Sequence, residues 1–327
     1  MNILVALYSR VALWNIPAAH VDRLRTEFPR HEFRHATRDE DVVGLIRDAD
    51  IALMAEMRSA HFAAADKLRW IHSPAAGVGN MLFPALVQSD VLLTNSRGLS
   101  ADPIAEHVLA LTLGLFRKLP LALRSQAARH WVQNEMMAPP PLGHLQGARV
   151  LIVGLGSIGA ACAWRFAALG AEVIAVRRRP DQPVPGGVSR VEADDRLHEL
   201  LPAADVVVIS AAQTGRTRGL IGAAELSLMR PNAVLINVSR GKLVDEAALI
   251  LALQEGRIAG AGLDVFEHEP LAPESPLWTL PNVIVTPHMA GFRHDHWDVV
   301  TALFAENLHR FDRGEPLQNL VDKKAGY

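Results

Sequence analysis

The 327-residue sequence contains a single cysteine, Cys162, and has a formal net charge of only −2. One thiol cannot form an internal disulfide, so we expect a reducing, cytoplasmic location and interpret Cys162 as a small core residue. The small net charge gives no reason to expect a nucleic-acid or membrane-surface partner. No apolar run approaches the roughly 20 residues that cross a bilayer, and the N-terminus lacks the basic start of a signal peptide. These absences favour a soluble globular protein.

The composition and length predict two domains of the α/β class. Half of the residues are hydrophobic and 21% are charged, as is usual for globular proteins. Strand-like apolar runs alternate with amphipathic stretches from end to end, which predicts parallel sheets built from βαβ units. The predicted strands are 3–7, 50–54, 70–72 and 91–94 in a first group, and 150–153, 172–176, 205–210, 233–238, 261–265 and 282–286 in a second.

Two long helical patterns, at 103–116 and 294–311, flank the second group of strands. Residues 316–321 follow the second helix and can return to the first group. We therefore predict a discontinuous substrate domain of residues 1–100 and 290–327. A nucleotide-binding domain of residues 101–289 is inserted in it.

A glycine motif follows the first strand of the second group. The strand 150–153 leads into Gly154, Gly156 and Gly159, and residues 160–169 read as a helix. In this strand–turn–helix context, the first glycine permits a tight turn and the second lets the backbone approach a pyrophosphate. The third lets the helix pack close to the strand, and the helix N-terminus favours the anion. The alternative is a glycine-rich turn without a ligand.

The residue that would contact the cofactor ribose lies about 20 residues further on. An acid is expected there, but this sequence has Arg177, followed by Arg178 and Arg179. A carboxylate would repel a ribose 2′-phosphate, whereas an arginine binds it. We therefore predict that NADP(H) is preferred and NAD(H) possible, with Arg177 the first candidate and Arg178 the second. The alternative is a solvated basic turn.

Three polar residues follow three successive predicted strands: Arg240, Glu269 and His288. Because ligands bind at the carboxyl ends of parallel strands, the three can converge on one crevice. His288 can supply a proton near neutral pH, and Glu269 can orient the imidazole and favour its charged form. Arg240 can bind a substrate carboxylate and polarise a carbonyl. Taken singly, each could equally be an ion pair, a cap or a partnered histidine.

These motifs resemble the D-isomer-specific 2-hydroxyacid dehydrogenases, and the similarity covers nearly the whole chain. The matching runs are 104–107 (IAEH), 235–245 (LINVSRGKLVD), 260–270 (GAGLDVFEHEP) and 281–288 (PNVIVTPH). The resemblance implies two flavodoxin- or Rossmann-like domains and usually a homodimer. It also gives Arg240, Glu269 and His288 the catalytic roles in reducing a small 2-oxo acid to a D-2-hydroxy acid. The arginine at 177 is a variation found in NADP-using glyoxylate and hydroxypyruvate reductases of the family.

The same resemblance extends to other parts of the site. Residues 73–79 (SPAAGVG) match the family's carboxylate-binding loop, in which backbone N–H groups bind an anion. The run 211–217 departs from the family, which usually has a proline-leucine-threonine-proline sequence there. Besides the arginines, the predicted substrate-binding residues are Ala76, Gly77 and Val78, and the predicted cofactor-binding residues are Gly154, Gly156, Ser157, Ile158, Gly159, Val238, Ser239 and Asp264.

Several alternatives stay open at this point. One is a cofactor-responsive regulatory protein like the C-terminal binding protein corepressors; another is a formate or phosphite dehydrogenase. The formate branch does not use a glutamate in the role given to Glu269, which argues against it. We expect no metal site, because His294 and His296 are two apart on a helix and point in different directions. Other interpretations are an apolar pocket bias from Leu53, Met54 and Met57, and packing roles for Trp131 and Trp297.

Overall fold

A computed structural model describes residues 1–9 and 11–326 and divides them into two compact units. The first comprises Met1–Leu99 and the chain from Arg293 onward, and the second comprises Ser100–Phe292. Each unit holds one parallel sheet with helices, so the predicted α/β class is confirmed. The second unit interrupts the first in the sequence. The substrate and cofactor roles given to them stay predictions.

The first unit contains a five-stranded parallel sheet in the order β2-β1-β3-β4-β5, which is the flavodoxin-like order. Central strands such as Ile51–Met54 are buried along their whole length, because helices cover both faces of a parallel sheet. Its strands are β1 Asn2–Ala6, β2 Glu32–Ala36, β3 Ile51–Met54, β4 Trp70–Ser73 and β5 Leu92–Asn95; its helices are α1 Ala18–Glu27, α2 Asp39–Ile46, α3 Ser59–Ala63, α4 Pro84–Gln88 and α12 His296–Arg313.

The second unit contains a seven-stranded parallel sheet in the order β12-β11-β10-β9-β6-β7-β8. The strand order reverses between β6 and β9, as in dinucleotide-binding folds, so a crevice opens at their carboxyl ends. The strands are β6 Arg149–Val153, β7 Glu172–Arg177, β8 Arg190–Ala193, β9 Val206–Ile209, β10 Val234–Asn237, β11 Gly260–Leu263 and β12 Val283–Val285; the helices are α5 Ala101–Phe116, α6 Leu119–Ala127, α7 Gln133–Met136, α8 Ser157–Ala168, α9 Leu197–Leu200, α10 Ala223–Leu228 and α11 Glu246–Gln254.

Helix α5 is the element that supports the site from one face of this sheet. Val108 and Leu111 are buried in the same core as Ile152 of β6 and Phe166 of α8. The guanidinium of Arg165 on α8 lies 3.0 Å from a carboxylate oxygen of Asp102 at the start of α5. The two helices therefore share a core and an ion pair, and α8 begins at the glycine turn.

The sequence patterns missed two strands, β2 and β8. Both lie at an edge of their sheet, where a strand pairs on one side only. Their exposed positions carry charges, such as Glu32 in β2 and Arg190 in β8, so neither shows an apolar run. Among the residues described, no helix combines the length and the apolar character that a membrane span requires.

Candidate active site and cofactor site

The glycine turn after β6 has the geometry that its sequence predicts. Gly154 adopts a φ of +100°, and a Cβ there would lie 2.5 Å from the backbone of Ala211. A Cβ on Gly159 would lie 2.4 Å from the carbonyl oxygen of Gly154. Larger residues are therefore excluded at both positions, so the turn stays tight and α8 stays close to β6.

The space beside this turn fits a dinucleotide pyrophosphate. A Cβ built on Gly156 meets nothing within 4 Å, so the backbone at that point borders open space. Gly156 precedes α8, whose first turn begins with Ser157 and Ile158 and contains no acidic side chain. The first N–H groups of a helix lack intrahelical acceptors and favour an anion. The turn and the helix start can thus hold a nicotinamide dinucleotide.

The three arginines after β7 have different surroundings. The guanidinium of Arg177 turns back onto its own loop and donates to the carbonyl oxygens of Pro180, Gln182 and Pro183. Arg178 and Arg179 are exposed. In this conformation Arg177, the first candidate from the sequence, stabilises its own loop. Arg178, the second candidate, lies on the surface.

Arg240, Glu269 and His288 follow β10, β11 and β12, which are neighbours in the sheet. The register pairs Asn237 with Leu263 and Leu263 with Val285, so the three strands end at the same level. The structure therefore brings the three turns together at the carboxyl edge. Strand β9 separates them from the glycine turn after β6.

The turn that carries Arg240 is fixed by a buried amide. The Asn237 side chain donates to the Arg240 carbonyl oxygen over 3.1 Å and accepts from the Ser239 N–H over 3.1 Å. A Cβ on Gly241 would lie 1.9 Å from the Phe266 carbonyl carbon, so the turns after β10 and β11 touch through their backbones. The exposed Arg240 guanidinium donates to the Ser239 carbonyl oxygen at 2.7 Å. The backbone of Arg240 is therefore held beside the segment that leads to Glu269.

Glu269 and His288 form a hydrogen-bonded pair, with 2.6 Å between Oε2 and Nδ1. The other carboxylate oxygen accepts from the Phe266 N–H at 3.1 Å, which fixes the carboxylate. Burial raises the pKa of Glu269, but the bonds from His288 and Phe266 and the charge of Arg240 outweigh it and hold the pKa below its ordinary value. Glu269 is thus an anion at neutral pH and orients the imidazole so that Nε2 can face a ligand.

His288 sits in an unusual backbone conformation with a φ of +52°. Residues other than glycine rarely adopt it, so the surroundings must enforce it. Asp264, which is 1% exposed, accepts hydrogen bonds from the Met289 and Ala290 N–H groups, each at 2.9 Å. Both of its oxygens therefore hold the turn that carries His288. The prediction of Asp264 as a cofactor-binding residue stays untested.

The segment 211–217 is held by several hydrogen bonds despite its departure from the family's usual sequence. Ser210 Oγ donates to the Gly154 carbonyl oxygen at 2.7 Å, and Ser239 Oγ donates to the Ala211 carbonyl oxygen. Thr217 Oγ1 donates to the Ala212 carbonyl oxygen at 2.8 Å and closes the segment on itself. Ser239 and its neighbour Val238 are buried. Serines at the ends of β9 and β10 thus connect the glycine turn to the Arg240 turn.

The predicted carboxylate-binding loop belongs to the first unit. The Asn95 side chain donates to the Ala76 carbonyl oxygen at 2.7 Å, and Ser96 Oγ donates to the Ser73 carbonyl oxygen at 3.0 Å. Within residues 1–9 and 11–326, the N–H groups of residues 76–78 have no hydrogen-bond acceptor. Asn95 holds the Ala76 carbonyl while the three N–H groups stay available, which suits an anion.

Two interpretations from the sequence are wrong. The side chains of Leu53, Met54 and Met57 are at most 1% exposed and lie in the two cores of the first unit, so they line no open pocket. Trp131 is 86% exposed and packs into no core formed by residues 1–9 and 11–326, whereas Trp297 is buried as expected. Burial of an individual tryptophan depends on tertiary contacts that local sequence does not reveal.

Comparison with known proteins identifies related sequences and folds. The sequence profile of the family described as D-isomer specific 2-hydroxyacid dehydrogenase, NAD binding domain, matches residues 109–290. A protein named glyoxylate reductase from Korarchaeum cryptofilum is 36% identical over 291 residues, which are 86% of this chain and 86% of that protein.

Two solved structures are similar over almost the whole chain. A D-isomer specific 2-hydroxyacid dehydrogenase from Xanthobacter autotrophicus, in complex with NADPH and MES, has a TM-score of 0.82 and 33% identity, covering 99% of each chain. An NADPH-dependent glyoxylate/hydroxypyruvate reductase from Sinorhizobium meliloti, in complex with NADP and sulfate, has a TM-score of 0.83 and 28% identity. It covers 100% of this chain and 99% of its own.

Proposed function

Because the chain belongs to the D-isomer-specific 2-hydroxyacid dehydrogenase family, we propose that it reduces a small 2-oxo acid to the D-2-hydroxy acid with NADPH. Membership makes it an oxidoreductase with a nicotinamide cofactor; the preferred cofactor and the acid are our proposals. The observation that carries the proposed reaction is the 2.6 Å pair of His288 and Glu269 beside Arg240, at the carboxyl ends of the strands, where the glycine turn also lies.

A nicotinamide cofactor held at the glycine turn and the start of α8 would supply the hydride that the carbonyl carbon requires. His288 Nε2 gives its proton to the carbonyl oxygen as the C–O double bond becomes single, so the product is a neutral alcohol. Glu269 stabilises the imidazolium before this transfer and fixes the ring through Nδ1. Arg240 binds the substrate carboxylate and draws electron density from the carbonyl. We also propose that the N–H groups of Ala76, Gly77 and Val78 bind that carboxylate.

We propose glyoxylate and hydroxypyruvate as the substrate class, because relatives named for these substrates match nearly the whole chain. Steady-state kinetics with NADPH on glyoxylate, hydroxypyruvate, pyruvate and a bulkier 2-oxo acid will test this. We expect the highest kcat/KM on one of the first two. A preference for the bulky acid would contradict the substrate assignment but not the reaction type.

We predict a preference for NADPH over NADH of about tenfold or more in kcat/KM, equal to about 1.4 kcal/mol. A charge-assisted bond from arginine to a 2′-phosphate contributes roughly 1.5–3 kcal/mol, which exposure and salt reduce. We now place Arg178 first, because Arg177 donates to the carbonyls of its own loop. Arg178→Ser should abolish the preference by weakening NADPH alone.

Arg190→Ser is the matched control, since Arg190 lies on β8, is exposed and pairs with nearby Glu192 at 3.3 Å. It should leave both cofactor constants unchanged. A wild-type protein that prefers NADH, or an Arg178→Ser variant that keeps the NADPH preference, would show that this arginine does not bind the phosphate.

We further propose a cytoplasmic homodimer that forms mainly through the second unit, with residues 103–116 and the following segment to residue 145 contributing. Large apolar side chains are exposed along it, including Leu123, Trp131 and Met137. The same segment borders a cavity of about 480 Å³ at the amino-terminal edge of the second sheet. Exposed aromatic and methionine side chains next to a concave surface are typical of an interface core, and a second copy presents the complementary features.

The expected molar mass by light scattering at micromolar concentration is twice the 35.6 kDa of the chain. Trp131→Ser should shift the mass towards a single chain, because it removes the most exposed of these side chains. The matched substitution Trp278→Ser changes an exposed tryptophan outside the segment and should keep the wild-type mass. A wild-type protein of 35.6 kDa throughout would contradict the dimer.

A further inference from the structure

His107 on α5 contacts the turn that carries His288, although no role described above involves it. Its Nε2 lies 2.9 Å from Thr286 Oγ1, and Thr286 Oγ1 lies 2.6 Å from Asp264 Oδ1. These residues are distant in sequence but belong to the same unit. They form a continuous line of hydrogen bonds from α5 to the end of β12.

The direction of these bonds follows from the donors available. A threonine hydroxyl has one proton, and the Asp264 carboxylate can only accept, so Thr286 donates to Asp264. Thr286 must then accept from His107, which requires a proton on the His107 Nε2. Burial lowers the pKa of His107, although the Asp264 charge at 3.7 Å opposes this. At neutral pH His107 is thus a neutral imidazole with its proton on Nε2.

The line of bonds ends on the backbone around His288. Asp264 accepts from the N–H groups of Met289 and Ala290, and the His288 N–H donates to the Thr286 carbonyl oxygen at 3.0 Å. This turn must keep His288 at a φ of +52°. A contact that fixes Thr286 and Asp264 therefore restrains a conformation that the backbone would otherwise leave.

We propose that His107 is a positioning residue for the catalytic turn. Its Nε2–H locks Thr286 onto Asp264, and this pair holds residues 288–290 so that the His288 imidazole keeps its 2.6 Å bond to Glu269. The inference rests on the proposed function, in which His288 delivers the proton. It adds a residue 181 positions away in the sequence, on a helix that contributes no catalytic group.

The test compares two substitutions of similar size. His107→Leu removes the donor, whereas His107→Gln keeps an N–H at nearly the same distance from the backbone. We expect the leucine variant to lose about tenfold or more in kcat with little change in the KM for NADPH, because a small displacement of a reacting group is costly. The glutamine variant should recover most of the loss. Unchanged kcat in the leucine variant would overturn the proposal.

Thr286→Val supplies the second arm, because it breaks the same line one step further on. It should reproduce the kcat loss of His107→Leu, and the double variant should be no worse than either single variant. Losses that multiply in the double variant would show that the two residues act separately. Thermal unfolding of each variant identifies a loss that comes from misfolding.

A readout without turnover separates this inference from the proposed function. The proton between His288 Nδ1 and Glu269 should give a downfield NMR resonance that is absent in Glu269→Gln. His107→Leu should weaken or broaden that resonance and His107→Gln should retain it. A resonance unchanged in His107→Leu would contradict the positioning role, whereas a wild-type protein that reduces no 2-oxo acid would contradict the function alone.

Discussion

Replacement of His288 by alanine is expected to lower kcat for 2-oxo-acid reduction by about 10²- to 10⁴-fold, the usual range for general acid catalysis. The Glu269 hydrogen bond uses Nδ1, and among the described residues Nε2, the nitrogen proposed to deliver the proton, has no hydrogen-bond partner. The glycine turn lies after a different strand, so the dissociation constant for NADPH should stay near the wild-type value. Stopped-flow reduction and cofactor fluorescence measure the two quantities.

A second variant, His288→Asn, separates proton transfer from backbone geometry. Asparagine accepts a positive φ more readily than alanine, so it keeps the turn near +52° without supplying a titrating group. Both variants should lose activity to a similar extent. Near-wild-type turnover in either one would remove His288 from its role as proton donor.

Substitution of Arg240 by lysine is expected to lower kcat/KM by at least about tenfold, or roughly 1.4 kcal/mol of transition-state stabilisation. Lysine keeps the charge but loses the planar pair of donors that aligns a carboxylate and a carbonyl. In the structure one guanidinium nitrogen already donates to the Ser239 carbonyl oxygen at 2.7 Å. A single ammonium cannot hold that carbonyl and bind the substrate in the same geometry.

Arg257→Lys is the matched control for this substitution. Arg257 pairs with Glu255 at 2.6 Å and precedes β11, so it lies at the amino-terminal ends of the strands. Arg240 lies at their carboxyl ends. Its replacement should leave kcat/KM unchanged. If Arg240→Lys matched this control, Arg240 would not be the group that binds the substrate carboxylate.

The positions of the candidate catalytic residues could be predicted because they depend on strand ends. Apolar runs mark β10, β11 and β12, and parallel strands end at a common edge, so Arg240, Glu269 and His288 were expected to lie together. The glycine turn was also predictable, because Gly154 and Gly159 stand where a side chain would collide with nearby backbone. Edge strands such as β8 were missed because half-exposed strands carry charges.

The contacts that hold the site could not be predicted in the same way. The bonds of Asp264 to the turn after β12, and the contact of His107 with Thr286, join segments far apart in the sequence. They depend on side-chain rotamers and on the exact position of α5 relative to the sheet. The hydrogen bond of the Arg177 guanidinium to its own loop likewise depends on a side-chain rotamer, which the hydrophobic pattern of the sequence does not reveal.

The proposed reaction is best checked by incubating the protein with NADPH and hydroxypyruvate and analysing the chirality of the product. We expect NADPH to be oxidised in a one-to-one ratio with the formation of D-glycerate, and His288→Ala to form almost none. Binding of NADPH without its oxidation by any small 2-oxo acid would overturn the proposed function and favour a cofactor-responsive regulatory protein. Formation of the L-isomer would overturn the D-specific assignment.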